Sequence, residues 1–305
     1  LYQYTILEGW THSLQSIDLR FGSEYHAALQ DYEICRAGGM EHEAAIHESV
    51  ARLMERTVDL TADTGGKTTK YKNRSSLVSL VVDYLDNYGE GDPAVTYIRA
   101  DGKPAVELSF KFSLDYGPTS TNTVIMKGSP GFPGYQGSTI ESSQPYLLCG
   151  HLDRVVTLNS ALLVMDYKTT TKTLTERYFD QWEPNNQMSL YTLAGRIILG
   201  APIRGVVISA AQLLLEEPHR FVRGFTYRTQ DQLNEWLSDL SILLRLNEAY
   251  AATNYWPMND TACDKFGGCR FREICSKSPD ARHRFLQSDF TQLPEADRWN
   301  PLSVR

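Results

Sequence analysis

The stretch "PYLLCGHLDRVVTLNSALLVMDYKTT", residues 145–170, decides how this chain folds. Two apolar runs flank Asn159-Ser160, the kind of pair that turns a hairpin between strands. The first run carries Asp153 at the end of an apolar stretch, and the second ends in Asp166, Tyr167 and Lys168. A side-chain period of two puts Asp166 and Lys168 on one face of a strand and Tyr167 on the other. Paired as a hairpin, the two strands can bring Asp153 and Asp166 together at one end of a sheet. Two carboxylates alone repel and raise at least one pKa, a penalty that a divalent cation removes. Oxygen ligands with positions left for water and phosphate suit Mg²⁺. Lys168 then has a role beside the metal, orienting a water, helping to deprotonate it or stabilising charge on a phosphate. An isolated D-x-K is also what a solvated strand end with a neutralised charge looks like, so the rest of the chain has to decide.

Working outward, residues 1–60 read as helical. "RFGSEYHAALQDYEICRAG" has Ser23 as an N-cap and Gly38 as a stop, and "EHEAAIHESVARLMERTVDL" follows with apolar residues near helical spacing. "SLVSLVVDYLDNYG" is a third helix ending near Gly89. "AVTYIRADGKPAVELSFKF" reads as a hairpin turning at Asp101-Gly102. Residues 115–145, rich in Gly, Pro, Ser and Thr, form a long irregular insertion. After the strands of residues 145–170 come the helix "NNQMSLYTLAGRIILG" stopping at Gly200, the strand "IRGVVISAAQLLL" and the long amphipathic helix "QDQLNEWLSDLSILLRLNEAYAA". The order indicates an α/β fold, a central mixed sheet flanked by helices.

The chain has 305 residues, 42% hydrophobic and 22% charged, as in an ordinary globular protein. No run approaches the roughly 20 apolar residues of a membrane span. The net charge of −7 argues against broad coating of nucleic acid and leaves room for a local basic groove. Five cysteines, an odd and scattered set, with no secretory signal, point to a reducing cytoplasm rather than a disulfide framework. The chain starts with "LYQYTILEGW" and no Met, so further residues are expected upstream.

Gln187 and Tyr191, four apart, share one face of the helix after the D-x-K strand. "GHLDRVV", "VMDYKTT" and "QMSLY", with "FGSEYHAALQDYE" upstream, together resemble the PD-(D/E)XK nuclease superfamily. The set resembles its RecB-like branch, which includes CRISPR-associated exonucleases and phage nucleases and carries G-x-x-x-H, G-x-x-D, D/E-x-K and Q-x-x-x-Y in this order. The resemblance implies that His26, Asp153, Asp166 and the Tyr167 carbonyl hold Mg²⁺ or Mn²⁺, that Lys168 is the catalytic lysine, and that Gln187 and Tyr191 support the site and contact DNA. His47 is the rival histidine, without a glycine four residues before it. Glu107 resembles a glutamate seen on the strand before G-x-x-D; it is equally a lone polar residue of an alternating strand. The expected activity is metal-dependent hydrolysis of DNA, as an exonuclease in recombination, repair or phage DNA processing. Residues 1–250 form the expected nuclease domain, and residues 251–305 a cysteine-containing segment packed on it.

That segment, "CDKFGGCRFREIC", spaces Cys263, Cys269 and Cys275 six apart, and metal binding is the leading explanation for three such thiols. Some RecB-like nucleases hold a [4Fe–4S] cluster with three cysteines after the core and one far upstream; zinc is the alternative. The fourth ligand is expected ahead of residue 1, with Cys35 as the candidate inside the chain and Cys149 packed in the core. Arg270, Arg272, Lys277, Arg282 and Arg284, and a second group of Lys67, Lys70, Lys72 and Arg74, offer phosphate contacts or plain solvated charge. Tyr116, Phe132 and Tyr135 offer stacking surfaces for unpaired bases or anchors for their loop. Two other classes stay open. One is a catalytically idle module that binds DNA ends, or a recombination or single-strand-binding partner. The other is a cysteine–metal interaction module in which the nuclease core is scaffold.

Overall fold

Asn159 and Ser160 take positive φ angles, 48° and 63°, as a two-residue type I′ hairpin turn requires. They join β4 (Tyr146–Leu158) to β5 (Ala161–Thr170), paired antiparallel from Leu158↔Ala161 back to Arg154↔Met165. The fold is a computed structural model that describes residues 2–11, 17–60, 70–114, 146–215, 218–264 and 268–298. These fall into two compact units, one within 16–114 and 146–237, the other within 1–15 and 238–303.

The larger unit contains a six-stranded mixed sheet. β5 lies parallel to β6 (Gly205–Gln212), which pairs antiparallel with β7 (Arg220–Tyr227). On the other side, the long β4 pairs with two strands in succession. Its C-terminal half takes β2 (Val95–Thr96) and its N-terminal half takes β3 (Val106–Leu114). The expected hairpin at Asp101-Gly102 is present only as a turn, with Gly102 at φ 80° and a single bridge between Ile98 and Pro104. Around it the hairpin is short: the Arg99 amide donates to the Lys103 carbonyl and the Ala105 amide to the Tyr97 carbonyl, each at 2.9 Å, while β2 and β3 beyond it each pair with β4. β6 is buried along its whole length, as suits a strand between two others and covered on both faces.

Helices α1 (Ile17–Ala37), α2 (His42–Arg56) and α3 (Arg74–Tyr88) pack on one face of this sheet. Phe21, Tyr25, Leu29, Leu53, Leu80 and Tyr84 meet Leu163, Met165, Tyr167 and Val207 there. On the other face α5 (Asn186–Leu199) lays Met188 and Ala194 against Leu152, Val155, Val164 and Ile208. Each large apolar side chain so buried contributes about 1.5–3 kcal/mol. α5 stops as expected at Gly200, at φ 56°, and opens on Asn185, whose side chain accepts from the Gln187 and Met188 amides. α3 opens on an Asn73–Ser76 capping box.

Two local expectations need correcting. Ser23 is not an N-cap, because α1 begins at Ile17; Phe21 is fully buried in the core, so packing holds turns that the local cap signal would have left out. β7, "RFVRGFTY", stands where no strand is expected between β6 and the long helix that follows; it lacks a clean apolar alternation, with Arg220 exposed and Arg223 turned inward. Arg223 clasps Asp92 with two bonds of 2.6 Å and stacks 3.9 Å from the Tyr88 ring centre.

In the smaller unit, β1 (Trp10–Thr11) pairs antiparallel with β8 (Thr291–Gln292). Its core is Trp10, Phe271, Ile274 and Leu286, with Tyr4, Cys269, Cys275 and Phe290 packed around them. α7 (Arg272–Cys275) and α8 (Pro279–Asp289) lie in this unit, α6 (Gln230–Thr253) has residues in both units, and the short α4 (Glu176–Asp180) belongs to the larger one. The insertion expected at 115–145, including Tyr116, Phe132 and Tyr135, lies outside the described residues, as does Lys67. No helix among the described residues is long and apolar enough to cross a membrane.

Candidate active site

β4 and β5 part company beyond the Arg154↔Met165 pair. From there β4 continues beside β3 and β5 beside β6, so the sheet forks. Tyr167 stands at the fork, where no backbone partner from β4 meets it. The Asp153 carboxylate accepts the Tyr167 N–H at 2.9 Å, and His26 Nε2 lies 3.0 Å from the Tyr167 carbonyl oxygen. His26 comes from α1 on the helical face, and its Nδ1 is 3.4 Å from Asp153 Oδ2. The imidazole thus bridges an acidic side chain and a strand carbonyl. His47, the rival, is exposed on α2.

Glu107 completes the mouth of the fork. Val106↔Arg154 and Leu108↔Leu152 place it across from Asp153, and its φ of 45° is left-handed, uncommon for a residue with a Cβ. The ligand atoms of His26, Glu107 and Asp153 all lie within 4.8 Å of one another, the one such His, Cys, Asp or Glu group among the described residues. Asp166 sits outside this trio. Its Oδ1 is 2.9 Å from Lys168 Nζ in a hydrogen bond, and its Oδ2 is 2.8 Å from the same nitrogen. That second contact is poorly directed: Oδ2 is buried and makes no hydrogen bond among the described residues. Lys168 Nζ also lies 3.5 Å from Gln187 Oε1, and the Gln187 amide donates to the Tyr191 hydroxyl at 3.0 Å. The four-residue spacing on α5 does put these two on one face, toward the lysine.

Electrostatics separate the two aspartates. Burial raises the Asp166 pKa to about 6 against the pull of Lys168, and the Asp153 charge adds to the rise. Burial acts the same way on Asp153, but His26, by charge and hydrogen bond, the Tyr167 amide and Lys168 together carry it below the usual value. Burial lowers the His26 pKa, and Asp153, aided by Asp166, more than reverses this. Burial raises Tyr191, and the two aspartates add to it. A divalent cation fits such a set: the N and O donors of His26, Glu107 and Asp153 lie close enough to share one ion, and beside them the buried Asp166 Oδ2 lacks a hydrogen bond among the described residues.

On the helical face of the sheet, opposite the side chains of Asp166 and Lys168, Arg154 fixes the strand that carries Tyr167. It is 6% exposed, lies 3.0 Å from Glu33, donates to the Ala94 carbonyl at 3.1 Å and to Thr96 at 2.8 Å, and reaches the Tyr167 hydroxyl at 3.3 Å. The glycine of "GHLD" has a packing reason: the Phe110 ring lies over Gly150, 2.8 Å from where a Cβ would be. Gly22 has none among the described residues, since a Cβ there meets no atom within 4 Å.

The remaining candidates have partners of their own. Lys72 is buried against Asp18 at 2.6 Å, and Arg74 donates to the Met54 carbonyl, so both are tied into the fold. Cys263, Cys269 and Cys275 are free, and the Cys269 amide donates to the Cys263 carbonyl at 2.8 Å. Burial raises the Cys275 thiol pKa, and the two neighbouring cysteines add to the rise. The three do not close to within 4.8 Å of one another. Cys35 is packed in the apolar core of the larger unit, and Cys149, expected in the core, is only partly buried.

A comparison with curated proteins finds no match. Among solved structures, the "Putative exonuclease" of Eubacterium rectale is similar at 11% identity, with a TM-score of 0.43 over 86% of this chain and 77% of that one. The family model described as the PD-(D/E)XK nuclease superfamily matches residues 2–276. With that match over nearly its whole length, the chain belongs to the PD-(D/E)XK nuclease superfamily.

Proposed function

We propose that this protein is a metal-dependent deoxyribonuclease of the RecB-like kind, acting as an exonuclease in DNA recombination, repair or phage DNA processing. The observation that carries the reading is the fork itself, where His26, Glu107, Asp153 and the Tyr167 carbonyl gather beside the Asp166–Lys168 pair. His26, Asp153, Asp166 and the Tyr167 carbonyl, with Glu107 alongside, would hold one or two Mg²⁺ or Mn²⁺ ions, which would supply Lewis acidity to the scissile phosphate. Lys168 directs its ammonium at the attacking water and at the charge that builds on the phosphate oxygens. Gln187 orients Lys168, and Tyr191, held neutral by its surroundings, orients Gln187. Asp153 fixes the His26 ring and the Tyr167 amide, so the carbonyl faces the site. Water attacks phosphorus and the bridging oxygen leaves with a proton. The cysteines take no part in this chemistry.

End-labelled linear DNA and closed circular DNA, each with Mg²⁺, Mn²⁺ or EDTA, test the reading beside Lys168→Ala. Metal-dependent loss of linear DNA alone, abolished by the substitution, is the expected result. Cutting of circles makes the enzyme an endonuclease. A folded, metal-loaded protein that cuts neither overturns the enzymatic reading and favours a module that only binds DNA.

A further inference from the structure

Trp182 stands in the turn between α4 (Glu176–Asp180) and α5, and its ring centre is 5.3 Å from Lys168 Nζ. The turn is anchored. The Trp182 amide donates to the Phe179 carbonyl at 3.0 Å, and the Trp182 carbonyl accepts from Arg228 at 3.1 Å. Arg228, itself 6% exposed, also donates to Ser189 on α5 at 3.1 Å and to the Tyr227 carbonyl at 2.8 Å. The indole is therefore set in place by the end of β7 and by α5 together. Its N–H is buried and finds no acceptor among the described residues. Phenylalanine or leucine would avoid that cost, so the hydrogen bond is not what the tryptophan contributes. Its distinguishing asset is the ring face, the most favourable of the aromatic side chains for a cation.

Lys168 has few other ties. Gln187 is at 3.5 Å, the limit of a hydrogen bond, and the strong partner is Asp166. An Asp166 carboxylate that also binds a divalent cation has less charge to offer the ammonium. The direction of Lys168 then depends on Gln187 and on the indole.

We propose that Trp182 is a positioning residue for Lys168, its indole face holding the ammonium toward the fork when Asp166 is engaged by metal. The role in turnover rests on the nuclease reading above; the Trp182–Lys168 contact does not. Two measurements keep them apart. Reductive methylation with [¹³C]formaldehyde gives each lysine a dimethyl NMR signal, and the Lys168 signal is the one missing in Lys168→Ala. In the wild type it should lie upfield of the exposed lysines through the indole ring current, shift partway back in Trp182→Phe and fully in Trp182→Leu. An unchanged signal in either variant overturns the proposal, even in a protein without nuclease activity. In steady-state cleavage with saturating Mg²⁺, Trp182→Leu should lose about tenfold in kcat with KM within about twofold, and Trp182→Phe about two- to threefold. A Trp182→Leu protein with wild-type circular dichroism and wild-type kcat overturns the proposal; if Trp182→Leu does not fold, the Trp182→Phe signal and kcat decide. A wild type that shows the shifted signal but cleaves no DNA sinks the nuclease reading and leaves the contact standing.

Discussion

Replacing Asp166 by asparagine should make the metal-free protein more stable at neutral pH, by an amount the structure allows one to work out. Asp166 is 1% exposed, beside Asp153, and its pKa rises from 3.8 to about 6. The neutral form is thus favoured on folding, and the folded chain binds more protons than the unfolded chain between those two values. Stability from this group is fully present below pH 3.8 and is lost as the pH climbs through about 6. The loss is about 3 kcal/mol, from about 1.4 kcal/mol per pH unit. Asparagine has the same shape and never ionises, so it escapes that loss. In EDTA at pH 4 the two proteins should unfold alike. At pH 8 Asp166→Asn should gain about 3 kcal/mol, or a shift of about 1 M in the urea midpoint at a slope of about 3 kcal/mol/M. Adding Mg²⁺ at about 100 times its Kd should return about 2.7 kcal/mol to the wild type and little to the variant. Urea titrations followed by far-UV circular dichroism at pH 4, 6 and 8 measure the gap. A gap that does not widen with pH, or a variant weaker than the wild type at pH 8, refutes the placement of Asp166 as a buried, strained carboxylate.

Arg154→Met should destabilise the fold by about 3–5 kcal/mol in urea unfolding, because it leaves Glu33 without its buried partner; Arg154→Met with Glu33→Leu should recover most of that. Gly150→Ala should cost about 1–3 kcal/mol, since the new Cβ meets the Phe110 ring at 2.8 Å and the ring must move. Glu107→Gly should unfold at the same or a higher temperature, because it relieves a left-handed backbone worth about 1–2 kcal/mol. The same variant should bind Mn²⁺ about tenfold more weakly by electron paramagnetic resonance titration.

Periodicity carries a long way here because it is local. A spacing of two set Asp166 and Lys168 on one strand face, and the carboxylate does sit 2.9 Å from the ammonium. A spacing of four set Gln187 and Tyr191 on one helix face, and they are hydrogen bonded at 3.0 Å. Asn159-Ser160 turned the hairpin because Asn159 takes positive φ readily and Ser160 is held there with it, and the stop of α5 at Gly200 follows the same logic.

What pairs with what across long separations is a different matter. The strands around Asp101-Gly102 look like hairpin partners, yet both lie along β4, because β4 is long enough to offer its edge to each in turn. In "AVELSF" Glu107 reads equally as a site glutamate and as a lone polar residue of an alternating strand; the register with β4 brings it to His26 and Asp153. Trp182 reads as one aromatic in a polar turn until the Arg228 anchor, 46 residues away, sets its ring beside Lys168. The sequence by itself determined the α/β class, the hairpin, and the residues of each motif, since helix and strand periods are properties of the local backbone. The tertiary structure alone decided the fork between β4 and β5, the approach of His26 to Asp153 and the Tyr167 carbonyl, and the arrival of Glu107 and Trp182. Those depend on strand register and on burial, which are settled only when distant segments compete for the same edge and the same core.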